Sequence, residues 1–183
     1  AGEWVAVHGT GGIGLATLLL AKAIGAQVVV VDVVQDKLDH AKGLGADAAV
    51  NATNTDVAAA IHDITGGGAH VSVEALGIAA TTNTSIDCLR TLGRHVQVGM
   101  PAGTSGMMEV NMRGIYSKQL SFFGTRGMPA WKYPNLLDMI DRGQVDIRPM
   151  VAREVPLSGA SAELAAMHGP TAPGTAVITD FTR

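Results

Sequence analysis

Residues Trp4 to Asp32 leave this chain few ways to fold. An apolar strand, Trp4-Val5-Ala6-Val7-His8, runs straight into Gly9-Thr10-Gly11-Gly12-Ile13-Gly14, and an apolar-rich segment follows to Ile24. A second apolar run, Val28 to Val31, ends on Asp32. The order is strand, glycine turn, helix, strand, acid, which is a βαβ unit. Each position has a task if the ligand is a dinucleotide. Gly9 turns the chain off the first strand, Gly11 leaves bare backbone for a pyrophosphate, and Gly14 lets the helix lie close to the sheet. Gly11, Gly12 and Ile13 then present backbone N–H groups, and the helix adds its positive end. Asp32 stands 18 residues beyond Gly14. A carboxylate at that strand end accepts hydrogen bonds from both ribose hydroxyls of an adenosine. A bare βαβ turn also uses glycines, and a strand-end acid can simply be solvated. The ordered combination is what points to the dinucleotide, through the whole turn from Gly9 and Thr10 to Gly14.

The rest of the chain repeats the alternation. Helices are expected over Gln35–Gly43, over Asp56–Thr65 with Val57, Ile61 and Ile64 on one side, over Thr82–Leu92 and over Asn135–Arg142. Strands are expected over Ala46–Val50, Val71–Ala75, His95–Val98 and Leu120–Gly124, with Met107–Met112 as a short edge strand. The alternation calls for an α/β fold, a doubly wound parallel sheet of about six strands with helices on both faces, a Rossmann fold. The rhythm breaks near residue 150. Val151–Val155 and Thr175–Asp180 read as extended and Gly159–Met167 as helical, a tail expected to pack outside the first sheet. The expected division is a dinucleotide-binding domain at 1–149 and a tail at 150–183.

Composition excludes several classes. Lysine plus arginine number 13 against 16 acids, a net charge of −3 with no basic block, which argues against nucleic acid and an anionic membrane surface as partners. Lys22 and Asp32 interrupt the richest apolar regions, so no membrane span is expected. Charged residues are 16 % of the chain, below the roughly 25 % of ordinary domains, which favours burial against another domain or a second subunit. Cys88 is the single cysteine, which precludes an intrachain disulfide and fits a reducing, cytoplasmic setting. It sits beside Ile86 and Leu89 and reads as a buried thiol. His8, His40, His62, His70, His95 and His168 show no metal-ligand spacing with one another or with Cys88, so no metal site and no catalytic residue is assigned. The chain opens Ala1-Gly2-Glu3 without an initiator methionine, as expected of a piece of a longer protein.

Further motifs carry a resemblance. Val31-Asp32-Val33 with Lys37 behind it, Leu44-Gly45-Ala46-Asp47, Thr65-Gly66-Gly67-Gly68, Val73-Glu74-Ala75-Leu76-Gly77 and Gly93-Arg94-His95-Val96-Gln97-Val98-Gly99-Met100-Pro101 follow the glycine turn in order. Together they resemble the coenzyme-binding half of zinc-type medium-chain alcohol dehydrogenases, most closely from Gly2 to Pro101 and most loosely after Arg126. The resemblance implies NAD as cofactor. It implies a missing N-terminal catalytic domain bearing the zinc and the proton relay, so zinc belongs to the parent enzyme and not to this chain. It implies a tail that returns to that domain, and a homodimer or homotetramer formed through the sheet edge. Lys37 matches a lysine that reaches the ribose, with a solvent-facing helix lysine nearly as good a reading. Ala75, Leu76, Gly77, Val98, Gly99 and Met100 fall where the family places adenosine and nicotinamide contacts, and Thr125 where backbone holds the carboxamide. Arg126 is either a phosphate or subunit contact or a surface charge.

Asp32 favours NAD over NADP on its own chemistry, because a 2′-phosphate would meet like charge and Val33 and Val34 offer no arginine. The same residue argues against a zinc-free quinone or enoyl reductase, whose relatives commonly take NADPH. A methyltransferase usually carries an acid before the glycine turn, where this chain has His8. A non-catalytic dinucleotide-sensing module differs from the enzyme only in sequence outside this chain.

Overall fold

The valines of the first two strands sort themselves by parity. In a computed structural model, which describes residues 1–101, 107–167 and 173–182, Val5, Val7, Val28 and Val30 enter one core cluster while Ala6, Val29 and Val31 enter another. Strand side chains alternate between faces, so an unbroken apolar run is buried on both sides. The strands are β1 (Trp4–His8), β2 (Gln27–Asp32), β3 (Ala48–Asn51), β4 (Ala69–Glu74), β5 (Leu89–Gln97) and β6 (Ser121–Gly124). They pair in the order β3-β2-β1-β4-β5-β6, all parallel. The connecting helices are α1 (Gly12–Ala23), α2 (Gln35–Gly43), α3 (Val57–Thr65), α4 (Ala79–Asp87) and α5 (Met112–Ser117), followed by α6 (Tyr133–Asp141) after β6.

Helices cover both faces. Leu15, Leu18 and Ala21 of α1 and Leu38 and Ala41 of α2 pack in the first cluster, and Val57 and Ile61 of α3 in the second. Leu18 and Ile61 are fully buried, and each such side chain contributes about 1.5–3 kcal/mol of transfer free energy. Ile64 shares their helical face but sits in the last turn of α3, outside the second cluster, and remains 37 % exposed.

Two further expectations are corrected. Thr82–Leu92 is not one helix, since α4 begins at Ala79 and ends at Asp87. Lys118 Nζ donates to the carbonyls of Asp87 and Leu89 and closes the helix end. The register between β4 and β5 then jumps from Ala69↔Leu89 to Val71↔Arg94, so residues 90–93 form an irregularity in the strand rather than a helical turn. Leu92 takes a positive φ of 62° there. Met107–Met112 is not an edge strand either. Asn111 donates its N–H to Asn83 Oδ1 and its side-chain amide to Asp87 Oδ1, and accepts from Gly114 N as the N-cap of α5. Those bonds hold the segment against α4 and start a helix where strand pairing was expected.

Beyond α6 the tail adds a second sheet. Strands β7 (Val151–Pro156) and β8 (Thr175–Asp180) pair in parallel as a separate two-stranded sheet, and α7 (Ala160–Ala166) lies between them in sequence. Among the described residues no helix is long and apolar enough to cross a membrane.

Candidate functional site

In a parallel sheet every strand end carrying the expected residues lies at one edge. The chain runs from β1 outward through β2 and β3, then returns to place β4 on the other side of β1. His8, last in β1, pairs with Val31 of β2 on one side and Glu74 of β4 on the other. A crevice at such a switch point is where open α/β sheets take ligands.

The glycine turn opens this crevice. Gly9 has φ +94°, a left-handed conformation that disfavours any side chain, and its N–H donates to the Val31 carbonyl at 2.8 Å. Gly11 is the N-cap of α1, offers no side-chain cap and is followed by a first turn with no acid. The first N–H groups of α1 therefore face outward as a seat for an anion. A Cβ on Gly11 would meet nothing within 4 Å, whereas one on Gly14 would lie 1.8 Å from the Gly9 carbonyl oxygen. Gly11 thus guards open space, and Gly14 permits a close approach between helix and turn.

Asp32 is drawn into this turn. Its Oδ2 accepts from Thr10 N at 2.8 Å and Thr10 Oγ1 at 2.7 Å, and its Oδ1 from Val33 N at 2.8 Å and Val34 N at 3.1 Å. Half-burial works to raise its pKa, but these donors, led by the Thr10 hydroxyl, outweigh it and hold the carboxyl below the usual range. Sequence reasoning expects Asp32 to hold a ribose. In the structure its carboxyl group ties the β2 end to the glycine turn through Thr10.

The other expected residues gather along the same edge. Ala75 N donates to the His8 carbonyl, Val98 N and Gly99 N to the Glu74 carbonyl, and Thr125 N to the Gln97 carbonyl. Large apolar side chains stay exposed at this edge: Ile13 48 %, Val33 64 %, Leu76 48 % and Met100 85 %. Lys37, in the first turn of α2, lines a cavity of about 620 Å³ together with Thr10, Gly11, Gly12 and Ile13. Its far wall is the tail, including Arg153, Val155, Glu163, Leu164, Met167, Thr175 and Ile178. Thr175 Oγ1 would lie 3.3 Å from a Cβ on Gly12. Sequence reasoning missed this wall. Its signal is the alternation that puts Arg153 and Val155 of β7 and Ala176 and Ile178 of β8 on the cavity. Arg153 is ion-paired with Glu163, Nε to Oε1 at 3.0 Å. Glu74, at the centre of the crevice wall, was also missed, because a buried acid within a strand reads as an ordinary alternation.

A dinucleotide fits these groups: open space over Gly11, an acid at the β2 end, exposed apolar surface on both sides of the switch point and a cavity of suitable size. The histidines and the thiol do other work. His8 is buried, with its pKa pushed down to about 3 by burial and then by His95. Cys88 Sγ lies 3.6 Å from His8 Nε2 and bonds the Ser85 carbonyl, and burial pushes its thiol up to about 12. Among the described residues no group of three or more His, Cys, Asp or Glu could hold a metal ion, and His168 lies outside them.

Comparison with known proteins agrees with this geometry. The family described as "Zinc-binding dehydrogenase" matches residues 12–142. D-arabitol-phosphate dehydrogenase of Enterococcus avium is 30 % identical over 159 residues, 85 % of this chain and 45 % of that protein. An alcohol dehydrogenase of Geobacillus stearothermophilus is 36 % identical over 152 residues, 82 % of this chain and 42 % of that protein. The structure of an alcohol dehydrogenase zinc-binding domain protein from Burkholderia ambifaria superposes with a TM-score of 0.82 at 28 % identity, over 92 % of this chain and 46 % of that one. An E. coli CFT073 protein described as a short chain alcohol dehydrogenase and solved with NADH gives 0.86 at 22 % identity, over 97 % of this chain and 52 % of that one, a likeness of fold. The chain spans about half the length of the relatives it matches. With a family match across well over half its residues, on the corresponding fold, the chain belongs to the zinc-binding dehydrogenase family.

Proposed function

We propose that this chain is the NAD(H)-binding half of an alcohol dehydrogenase-like oxidoreductase. The observation that carries this reading is the glycine turn, open over Gly11 and tied by Thr10 to Asp32, on the wall of a cavity large enough for a nucleotide. When bound, the nicotinamide ring gives or accepts a hydride. The chain's own residues bind and orient it. The N–H groups of Gly11, Gly12 and Ile13 take the pyrophosphate, with Gly9 and Gly14 shaping the turn. Asp32 reads the adenosine ribose and Lys37 reaches toward it. Val33 and Ile13 supply apolar contact on the adenosine side. Leu76, Gly77, Val98, Gly99 and Met100 wall the nicotinamide side, and Thr125 backbone meets the carboxamide. Asp32 disfavours a 2′-phosphate, which sets this chain apart from an NADPH-dependent quinone or enoyl reductase.

Substrate polarisation falls to an N-terminal catalytic domain outside this sequence, carrying zinc, with the tail from residue 150 packing against it. The reading includes a cytoplasmic homodimer or homotetramer formed through the β6 edge, where Phe122 and Phe123 are exposed. Hydride transfer needs both a polarised oxygen and a substrate wall, so this chain alone binds NADH and does not oxidise alcohols. The test is a titration by NADH fluorescence beside an assay for alcohol-dependent NADH formation. Saturable NADH binding without turnover is the expected result. Failure to bind NADH, or turnover abolished by Gly11→Val, would overturn the reading.

A further inference from the structure

Glu74 is a buried acid at the crevice wall. It is the last residue of β4, fully buried, and among the described residues no lysine or arginine forms an ion pair with it. Burying a carboxyl group without a counter-charge is costly unless hydrogen bonds replace water. Here they do, and all of its partners donate to it. Oε1 accepts from Leu76 N at 2.9 Å, Gly77 N at 3.0 Å and Thr81 Oγ1 at 2.7 Å. Oε2 accepts from Gly77 N at 2.8 Å and Gln97 Nε2 at 2.5 Å. Gln97 Nε2 also donates to the Gly99 carbonyl at 2.9 Å, and the Glu74 carbonyl itself receives Val98 N and Gly99 N.

These bonds join two loops, the one after β4 and the one after β5. The loops touch backbone to backbone. A Cβ on Gly77 would lie 1.9 Å from the Met100 carbonyl oxygen, and one on Gly99 would lie 2.1 Å from Gly77 N and 2.7 Å from Glu74 Oε2. The same assembly reaches the glycine turn, since a Cβ on Gly9 would lie 2.9 Å from Leu76 Cγ. An apolar residue at position 74 would leave the N–H groups of Leu76 and Gly77 without these acceptors, so the polar choice serves the loop geometry. In a doubly wound sheet the two nucleotide halves lie on opposite sides of the switch point. Asp32 stands on the β2 side, and the Glu74 loops stand on the other.

We propose that Glu74, with Gln97, is a positioning residue. It clamps the Leu76–Gly77 loop onto Gly99–Met100 and so sets the wall that receives the nicotinamide half of the coenzyme, without touching the coenzyme. The proposal rests on the dinucleotide reading above. It is tested by titrating the chain with NADH and with ADP-ribose, which lacks the nicotinamide ring, in wild type, Glu74→Gln and Gln97→Leu. Glu74→Gln turns one acceptor into a donor facing N–H groups, and Gln97→Leu cuts the link to Gly99 while keeping Glu74. Each variant is expected to lose about tenfold in NADH affinity, as for a lost buried hydrogen bond, while ADP-ribose affinity stays within about twofold. Amide exchange at residues 76–78 and at Gly99 and Met100 should quicken together in both variants. Equal losses for the two ligands, or unchanged NADH binding, would overturn the clamp and leave the dinucleotide reading standing. Equal wild-type affinities for NADH and ADP-ribose would also overturn it. A wild-type chain that binds neither ligand would overturn the dinucleotide reading itself, and the clamp with it. If Glu74→Gln fails to fold, Gln97→Leu decides.

Discussion

Gly14→Ala and Gly11→Val should separate folding from binding within one turn of chain. The Cβ added at Gly14 would sit 1.8 Å from the Gly9 carbonyl oxygen and 2.9 Å from its carbon. Both are main-chain atoms and cannot swing aside, so α1 must move away from the turn. Leu15 and Leu18, buried on the same helix, would move with it and open the first core cluster. Overpacking costs 1–3 kcal/mol, and a backbone clash belongs at the top of that range, about 3 kcal/mol. For a chain of this size that lowers Tm by roughly 6–12 °C. Gly11 is the opposite case. Its φ of −74° suits any residue, and a Cβ there meets nothing within 4 Å. Replacing glycine at an N-cap with an apolar residue costs up to about 1 kcal/mol. The valine methyls, however, would stand where a pyrophosphate must approach, and NADH affinity should fall by more than about tenfold, the loss of roughly one good polar contact. Denaturant unfolding of both variants, alongside NADH titration, reads the two effects. An unchanged midpoint for Gly14→Ala, or equal destabilisation by the two variants, would refute the reasoning.

Other outcomes follow from single residues. The chain should bind NADH more tightly than NADPH, and Asp32→Ser should narrow the gap in parallel titrations; a wild type that prefers NADPH would contradict the reading. Because the folded Asp32 pKa is depressed, its contribution to stability is present above the unfolded value of about 3.9 and is lost as pH falls through the lower folded value. His8, pushed down to about 3, stays neutral while an unfolded histidine takes a proton below about pH 6.5. Stability should therefore fall on acidification by roughly 1.4 kcal/mol per pH unit from this residue alone, and His8→Val should flatten the profile by one proton in unfolding curves measured between pH 7 and 4. The Cys88 thiol, buried and raised to about 12, should react with a disulfide reagent only after denaturation, so rapid labelling of the native chain would count against its placement.

Local chemistry determined most of this protein in advance. The unbroken apolar run Val28 to Val31, buried on both faces, and the spacing of Gly9, Gly11 and Gly14 depend on near neighbours, so the parallel layer and its glycine turn were legible in the residues themselves. Asp32 was legible for the same reason, as an acid at the end of a strand two elements from the turn. What depends on distant partners was not. Residues 88–92 have an ordinary helical pattern, but Lys118, far along the chain, ends α4 and shifts the register of β5. Met107–Met112 alternates as a strand would, but Asn111 finds Asn83 and Asp87 and begins a helix. Glu74 looked like one more residue of a strand end until Gln97, Leu76 and Gly77 converged on its carboxyl group. The wall that Arg153 and Ile178 raise opposite Gly12 likewise arises from folding the tail across the turn, a contact between segments far apart in the chain that no local pattern encodes.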